Sequence, residues 1–172
     1  MTQAIDLSKF CDPSFTSHLN FDRPFIHDGW DYATDGRIAL RFPRPHEPNT
    51  PEEHGLPWPP AYRLFDHIPL HNAVTPWPME GGEIPSMTAC ECDPDDELHD
   101  ADPECPKCSG TGERFAIDRR VCGVRIAERY DRLIRELPNV KCFASGHNGK
   151  QCVRFTFDGG VGVVMGKRDD AK

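Results

Sequence analysis

The stretch CVRFTFDGGVGVVM, residues 152–165, has the alternation of a β-hairpin. Val153, Phe155 and Phe157 occupy every second position, so their side chains fall on one face of a strand. The tripeptide Asp-Gly-Gly at 158–160 is a turn signal, and a second apolar alternation follows it. The sequence therefore predicts two strands that pair through a tight turn and share one apolar face.

The segment PFIHDGWDYATDGRIALRF, residues 24–42, predicts further strands of this kind. Asp28-Gly29 and Asp35-Gly36 are Asp-Gly turn signals between apolar stretches. Beyond the second turn, apolar residues at 38, 40 and 42 alternate with arginine and alanine, which indicates a half-buried strand. We therefore expect short strands joined by tight turns.

The clearest helix is predicted for AERYDRLIREL, residues 127–137. Its apolar residues recur at i, i+3, i+4 and i+7, which places them on one stripe of a helix. Glu128 and Arg132 form an i, i+4 acid–base pair, and Pro138 ends the segment. The stripe comprises Tyr130, Leu133, Ile134 and Leu137, and the arginines expected to face outward are Arg129, Arg132 and Arg135.

Weaker signals mark other elements. Residues 6–20 predict a brief helix with Asp6 or Ser8 as N-cap, and Pro13 limits its length. The segments RFAID, 114–118, and RVCGVRI, 120–126, are typical of strands.

Four cysteines between residues 90 and 108 carry the most specific chemical signal. A C-x-C pair and a C-x-x-C pair are separated by twelve residues, so each pair can reach one edge of a tetrahedral metal ion. A pair of disulfides is the alternative. The N-terminal MTQAIDLSKF lacks the features of a signal peptide, so we expect a cytoplasmic protein with reduced thiols. The predicted Zn²⁺ ligands are Cys90, Cys92, Cys105 and Cys108.

The role of the predicted site follows from its ligands. Four thiolates leave no open position for a substrate, so we expect the ion to be structural rather than catalytic. The C-x-C half departs from the usual two-residue spacing, which leaves His99 in the loop as a reserve ligand. The remaining cysteines stand singly among apolar residues and are interpreted as core side chains, with a second metal site as the alternative: Cys11, Cys122, Cys142 and Cys152.

Proline and charge are both distributed unevenly. Eleven of the seventeen prolines lie in residues 43–88, which we interpret as a partly polyproline-like surface insert, or alternatively a ligand for partner domains. RLFDHIPL, residues 63–70, is its most structured piece.

The net charge of −8 divides into −1 for residues 1–45, −12 for 46–112 and +5 for 113–172. No apolar run approaches the ~20 residues of a membrane helix, so we expect no membrane partner.

Four segments resemble parts of known families. YATDGRIALRF, residues 32–42, resembles the A-T-D-G-x-R-L-A strand–turn–strand of domains in the bacterial DNA sliding clamp, the DNA polymerase III beta subunit. Residues 130–138 and 153–168 resemble the closing helix and hairpin of that family, although the ending here is Met-Gly-Lys-Arg where the family has M-P-M-R. CPKCSGTG, residues 105–112, resembles one C-x-x-C-x-G-x-G repeat of the DnaJ-type cysteine-rich domain.

The clamp resemblance implies an α+β, DNA-clamp-like domain of two curved antiparallel sheets with two helices on one face. Residues 1–44 and 113–172 would be its two halves. Residues 45–88 and 89–112 would be a proline-rich insertion and a zinc-knuckle insertion between them. In that family six domains form a ring around duplex DNA, so a single domain would have to self-associate into about six copies.

A non-enzymatic, clamp-like binding protein is the first function that we consider. Its partner would be duplex DNA or a protein of replication or repair, and its contacts with phosphates would be electrostatic. A merely solvated helix face is the other interpretation of the same arginines. The arginines expected to contact DNA are Arg119, Arg120, Arg125, Arg129 and Arg132.

The sequence raises two other functions. A protein-interaction adaptor would dock partners on the zinc knuckle and the acidic insert. An enzyme is disfavoured, because the sequence has no Ser-His-Asp signature, phosphate-binding glycine loop or HExxH motif. A polar cluster could form a metal or acid–base site, but Asp-Gly turn chemistry already explains two of its members; the cluster is His27, Asp28, Asp31 and Asp35.

Overall fold

The computed structural model describes residues 5–14, 19–44, 57, 59–67, 83–90, 92, 103–147 and 150–168. These residues form an α+β fold of two antiparallel sheets, two α-helices and one 3-10 helix, and this class agrees with the prediction. The elements in chain order are the 3-10 helix Leu7–Phe10, β1 Phe25–His27, β2 Trp30–Thr34, β3 Ile38–Pro43, α1 Ala61–His67, β4 Ile84–Ala89, β5 Glu113–Val121, β6 Val124–Ala127, α2 Glu128–Arg135, β7 Lys141–His147, β8 Lys150–Phe157 and β9 Gly160–Met165.

The predicted C-terminal hairpin lies inside the larger sheet, whose strand order is β1-β2-β3-β9-β8-β7. β8 pairs with β9 in the register Val153↔Val164 and Phe155↔Gly162. The Phe155 ring lies so close to Gly162 that a Cβ there would meet ring carbons at 2.2 Å. Glycine at this position therefore makes room for a large buried aromatic side chain.

The two Asp-Gly signals form the predicted turns. Asp28 and Gly29 both have positive φ, at 47° and 75°, as a type I′ hairpin turn requires between β1 and β2. At the second turn, the Asp35 carboxylate accepts backbone N–H bonds from Arg37 and Ile38, at 2.8 and 2.9 Å. These local bonds fix the register of β2 against β3.

The amino-terminal and carboxy-terminal parts of the chain meet where β3 pairs with β9. The smaller sheet has the order β4-β5-β6, and a two-residue turn with positive φ at Cys122 and Gly123 joins its last two strands. The main chain after β9 adds a link between the sheets, because Lys167 N–H donates to Arg125 C=O at 2.7 Å.

One face of the larger sheet packs against α2 and the smaller sheet. Leu40 and Phe155 from the sheet are fully buried together with Ile126 of β6 and Ile134 of α2. The predicted helical stripe is confirmed, since Tyr130, Ile134 and Leu137 are buried and Leu133 packs against them. The predicted outward face is also confirmed, because Arg129, Arg132 and Arg135 expose 60%, 71% and 38% of their side chains.

The opposite face of the larger sheet packs against α1. This helix overlaps the predicted segment RLFDHIPL and begins two residues before it. Ala61 and Phe65 of α1 are buried against Tyr32, Ala39 and Val163. The clamp resemblance implies two helices on one face, whereas here α1 and α2 pack on opposite faces.

The amino-terminal helix is brief and has Asp6 as its N-cap, as the sequence predicts. It is a single 3-10 segment capped by Asp6, whose carboxylate accepts from Ser8 N–H at 3.1 Å. Part of the predicted helix, residues 15–18, lies outside the described residues.

In the described part of the chain, no helix combines the length and the apolar character needed to cross a membrane.

Candidate metal centre

The four cysteines lie at the outer end of the two-stranded ribbon formed by β4 and β5. Cys90 directly follows β4, and Cys105 and Cys108 lie in the turn that leads into β5. The ribbon pairs up to Ala89↔Glu113, and Cys90 N–H then donates to Gly112 C=O at 2.7 Å. Strand pairing therefore brings the two halves of the motif together.

The four Sγ atoms form one compact group. All lie within 4.8 Å of one another, with 3.7 Å between Cys90 and Cys105 and 3.4 Å between Cys92 and Cys108. A tetrahedral ion with Zn–S bonds of about 2.3 Å requires sulfur–sulfur separations of about 3.8 Å. The cluster can therefore hold a metal ion.

A tight turn shapes the C-x-x-C half. Ser109 N–H donates to Cys105 C=O at 2.8 Å, and Thr111 N–H donates to Cys108 C=O at 3.1 Å. Gly110 has a φ of 79°, and a Cβ there would meet Pro103 Cα at 3.0 Å. A glycine suits this left-handed, crowded position, as the C-x-x-C-x-G pattern indicated.

The turn also supplies electrostatic stabilisation for a thiolate. The Lys107 backbone N–H, with a further contribution from that of Cys108, lowers the pKa of Cys105 to about 7. Burial, followed by its hydrogen bond with the neighbouring Cys108 thiol, raises the pKa of Cys92 to about 12. Bringing four thiolates together requires a positive ion at their centre.

The environment of the cluster is that of a closed site. Cys90, Cys105 and Cys108 are buried, and Cys92 is half-buried. They form an apolar cluster separate from the two cores of the fold. Within the described ranges, no other group of three or more cysteine, histidine or acidic side chains is arranged to hold an ion. His99 lies outside the described residues.

The remaining cysteines do not form a second site in the described part of the chain. Cys142 and Cys152 are fully buried, one on each face of the larger sheet, and Cys11 and Cys122 are half-buried. Burial raises the pKa of each of these thiols, as expected for core side chains.

The five arginines expected to contact DNA are spread over β5, β6 and α2. Arg119 donates to Glu83 and Glu128, at 2.9 Å each. Arg120 is exposed and donates to Gly123 C=O at 3.0 Å. Arg129 pairs with Asp35, and Arg132 pairs with Glu128, at 3.1 Å each. Arg125 is buried, with 8% of its surface exposed. DNA contact stays a prediction for this set.

Arg125 belongs to a buried ionic cluster that the sequence interpretation missed. Asp118 is completely buried and accepts from Arg125 Nε and from Lys167 Nζ, at 2.8 Å each. A signal was present, because Arg125 stands between two apolar residues in a short strand. The cluster joins β5, β6 and the chain after β9.

The polar residues of the Asp-Gly region each have a structural contact. His27 stacks on Tyr62 with ring centroids 4.3 Å apart, and Asp31 pairs with Arg44 at 2.8 Å. Asp35 caps its turn and accepts from the Tyr130 hydroxyl at 2.8 Å. These contacts agree with the interpretation that turn chemistry and packing explain the cluster.

Comparison of the chain with protein-family models, curated proteins and solved structures gave no match in any of the three. The resemblances to the sliding clamp and to the DnaJ-type domain therefore rest on their sequence motifs alone.

Proposed function

We propose that the protein is a non-enzymatic binding protein in which Cys90, Cys92, Cys105 and Cys108 hold a structural Zn²⁺ ion. The observation that carries this proposal is that the four Sγ atoms lie within 4.8 Å of one another, with two separations of 3.7 and 3.4 Å that are close to the ~3.8 Å of tetrahedral Zn–S coordination. Zn²⁺ suits an all-thiolate tetrahedral set better than the hard cations Mg²⁺ and Ca²⁺, which take oxygen ligands. With four protein ligands the ion has no position for a substrate, so its role is to fix the end of the ribbon.

Cobalt substitution tests this ligand set. Protein loaded with Co²⁺ is expected to show the intense visible bands of tetrahedral thiolate coordination, and Zn²⁺ is expected to displace them. Cys105→Ser should weaken the thiolate-to-cobalt band, whereas the matched control Cys122→Ser should leave it unchanged, because Cys122 lies in the β5–β6 turn. A spectrum of octahedral cobalt, or one that Cys105→Ser does not alter, contradicts the proposal.

Contact with duplex DNA by a clamp-like domain is the second candidate. One observation favours it: Arg129 and Arg132 lie a turn apart on α2 and remain 60% and 71% exposed although each has a carboxylate partner. Exposed ion pairs are weak, so phosphates can compete for these guanidinium groups. A ring would require about six copies of this single domain.

A mobility-shift assay with duplex DNA at low salt tests the second candidate. The complex should weaken as salt rises, and Arg129→Ser/Arg132→Ser should weaken it further. Lys141→Ser, an exposed cation on β7, is the matched control. Absence of a shift at low salt rejects DNA contact, and a monomeric mass by light scattering rejects the ring.

A further inference from the structure

The sulfur atoms of the metal centre make two close contacts across the end of the β4–β5 ribbon. Cys90 Sγ lies 3.7 Å from Cys105 Sγ, and Cys92 Sγ lies 3.4 Å from Cys108 Sγ. In each contact the first cysteine follows β4 and the second precedes β5. We call these two contacts the cross-ribbon pairs. A disulfide has an S–S distance of about 2.05 Å, so each cross-ribbon pair needs to shorten by only about 1.5 Å to form one.

Disulfides in the cross-ribbon pairs would connect the same two segments that the metal ion connects. The backbone already brings these segments together, because Cys90 N–H donates to Gly112 C=O at 2.7 Å. Disulfides within the C-x-C or the C-x-x-C motif would close only local loops and would leave the end of the ribbon without a cross-link. The observed sulfur contacts therefore favour the pairing that preserves the ribbon when the ion leaves.

The exposure of the four cysteines indicates which pair reacts first. Cys92 is half-buried, whereas Cys90, Cys105 and Cys108 expose only 2%, 6% and 7% of their surface. The reaction of a thiolate with peroxide depends on its charge and on its access to water. An oxidant in solution therefore reaches Cys92 first, and its cross-ribbon partner Cys108 is in place to complete the disulfide.

We propose that hydrogen peroxide converts the metal centre into a disulfide-linked form, in which Cys92–Cys108 closes first and Cys90–Cys105 closes second. The inference rests on the proposed function, since the ion holds the four sulfur atoms together as thiolates. The metal site and the disulfides, which the sequence leaves as alternatives, are then two redox states of one site. In both states the end of the ribbon remains cross-linked.

The reaction consumes two molecules of peroxide. The Cys92 thiolate attacks one peroxide oxygen, the O–O bond breaks, and a sulfenic acid and a hydroxide ion form. The Cys108 thiolate then attacks the Cys92 sulfur, the S–O bond breaks, a second hydroxide leaves and the disulfide forms. The two sulfur atoms lose two electrons, and the peroxide oxygens gain them. A second peroxide oxidises the other cross-ribbon pair in the same way, and the Zn²⁺ ion, having lost its thiolate ligands, passes into solution.

Disulfide mapping by mass spectrometry of the wild-type protein tests the pairing. Glutamate- and lysine-specific proteases place each cysteine of the centre on its own peptide, because Glu91, Glu104 and Lys107 lie between them. One equivalent of peroxide should give the Cys92–Cys108 cross-link. Two equivalents should give both cross-ribbon disulfides and release one zinc ion per chain. Disulfides within the C-x-C or C-x-x-C motif, disulfides between chains, or zinc release without disulfides overturns the proposal.

Two matched variants test the order of attack. Cys108→Ser and Cys92→Ser each leave three cysteines in the centre, and each removes the cross-ribbon partner of the other cysteine. A dimedone probe, which labels sulfenic acids, should label Cys92 in the first variant about tenfold more than it labels Cys108 in the second. Equal labelling overturns the order. Cys122→Ser removes a half-buried thiol outside the centre and should leave zinc release unchanged; slower release in this variant also overturns the proposal.

Hydrogen exchange in the wild-type protein tests whether the disulfides replace the ion. Amide exchange at residues 113–117 of β5 should be about tenfold slower in the peroxide-treated protein than in reduced protein treated with a chelator. Equal exchange in the two samples overturns the proposal, because the disulfides would then fail to hold the ribbon.

The zinc content before oxidation separates a failure of this inference from a failure of the metal assignment. Protein that contains zinc but forms other disulfides rejects the redox inference alone. Protein that contains no zinc rejects the metal centre, and this inference with it, whatever disulfides it forms.

Discussion

At the scale of single residues, Asp118 is the most deeply buried carboxylate of the described chain. It receives two charged donors, Arg125 Nε and Lys167 Nζ, at 2.8 Å each. An isolated charge in this position would be strongly unfavourable, so the three groups depend on one another. The Arg125 side chain therefore has a structural role in a cluster that joins the smaller sheet to the chain after β9.

Removing the carboxylate charge tests this interdependence. Asp118→Asn should lower the free energy of unfolding by about 3–5 kcal/mol, because it leaves the buried Arg125 cation without its counter-ion. Glu136→Ala breaks the exposed pair with Lys9 and should change the stability little, since solvent screens such pairs. Urea unfolding of both variants measures the difference. Similar stabilities for the two variants contradict the proposed role of Asp118.

The buried thiol of Cys142 predicts a loss of stability at alkaline pH. Burial raises its pKa above the ordinary value of 9.0 in the folded state. The folded chain then binds the proton more tightly than the unfolded chain does, so this contribution is complete below about pH 9 and decreases as the pH rises. Cys142→Ala should make the decrease shallower by up to about 1.4 kcal/mol per pH unit. Identical slopes in urea unfolding between pH 8 and pH 11 would show that Cys142 does not titrate differently on folding.

At the scale of elements, β9 depends on glycine beneath the aromatic rings of β8. A Cβ at Gly162 would lie 2.2 Å from the Phe155 ring, and Phe155 is fully buried. Gly162→Ala should therefore lower the free energy of unfolding by about 1–3 kcal/mol through overpacking. Phe155→Leu should relieve part of this cost, so the double variant should be more stable than the sum of the single effects. Strict additivity in chemical denaturation contradicts the steric explanation.

The β4–β5 ribbon depends on the metal more than the larger sheet does. Its cysteine cluster is separate from the two cores, and a two-stranded ribbon is marginally stable by itself. Removal of the ion by a chelator should therefore increase amide hydrogen exchange at residues 113–117. Exchange at 153–156 in β8 is the internal control and should stay slow. Equal increases in both regions would mean that the ion supports the whole fold.

At the scale of the whole molecule, local patterns predicted elements better than they predicted their arrangement. The Asp-Gly turns, the C-terminal hairpin and α2 follow from turn chemistry and periodicity within short segments. The pairing of β3 with β9 joins distant parts of the chain, and no local pattern specifies it. β4 lies in a proline-rich segment with weak alternation and is defined only by its partner β5.

The candidate site was more predictable than its surroundings. The spacing of the four cysteines alone indicated that they converge, and their Sγ atoms lie within 4.8 Å of one another. The exposed apolar pair of Met87 and Phe115 was missed because the two residues become neighbours only through the β4–β5 register. The burial of Arg125 was missed because basic side chains are usually exposed, and its partners lie elsewhere in the sequence.

The zinc content of the full-length protein, purified without added metal and measured by elemental analysis, tests the central claim most directly. We expect one zinc ion per chain, retained in Cys122→Ser and lost in Cys105→Ser/Cys108→Ser. A wild-type protein that is stably folded, contains no zinc and does not take it up would contradict the proposed metal centre.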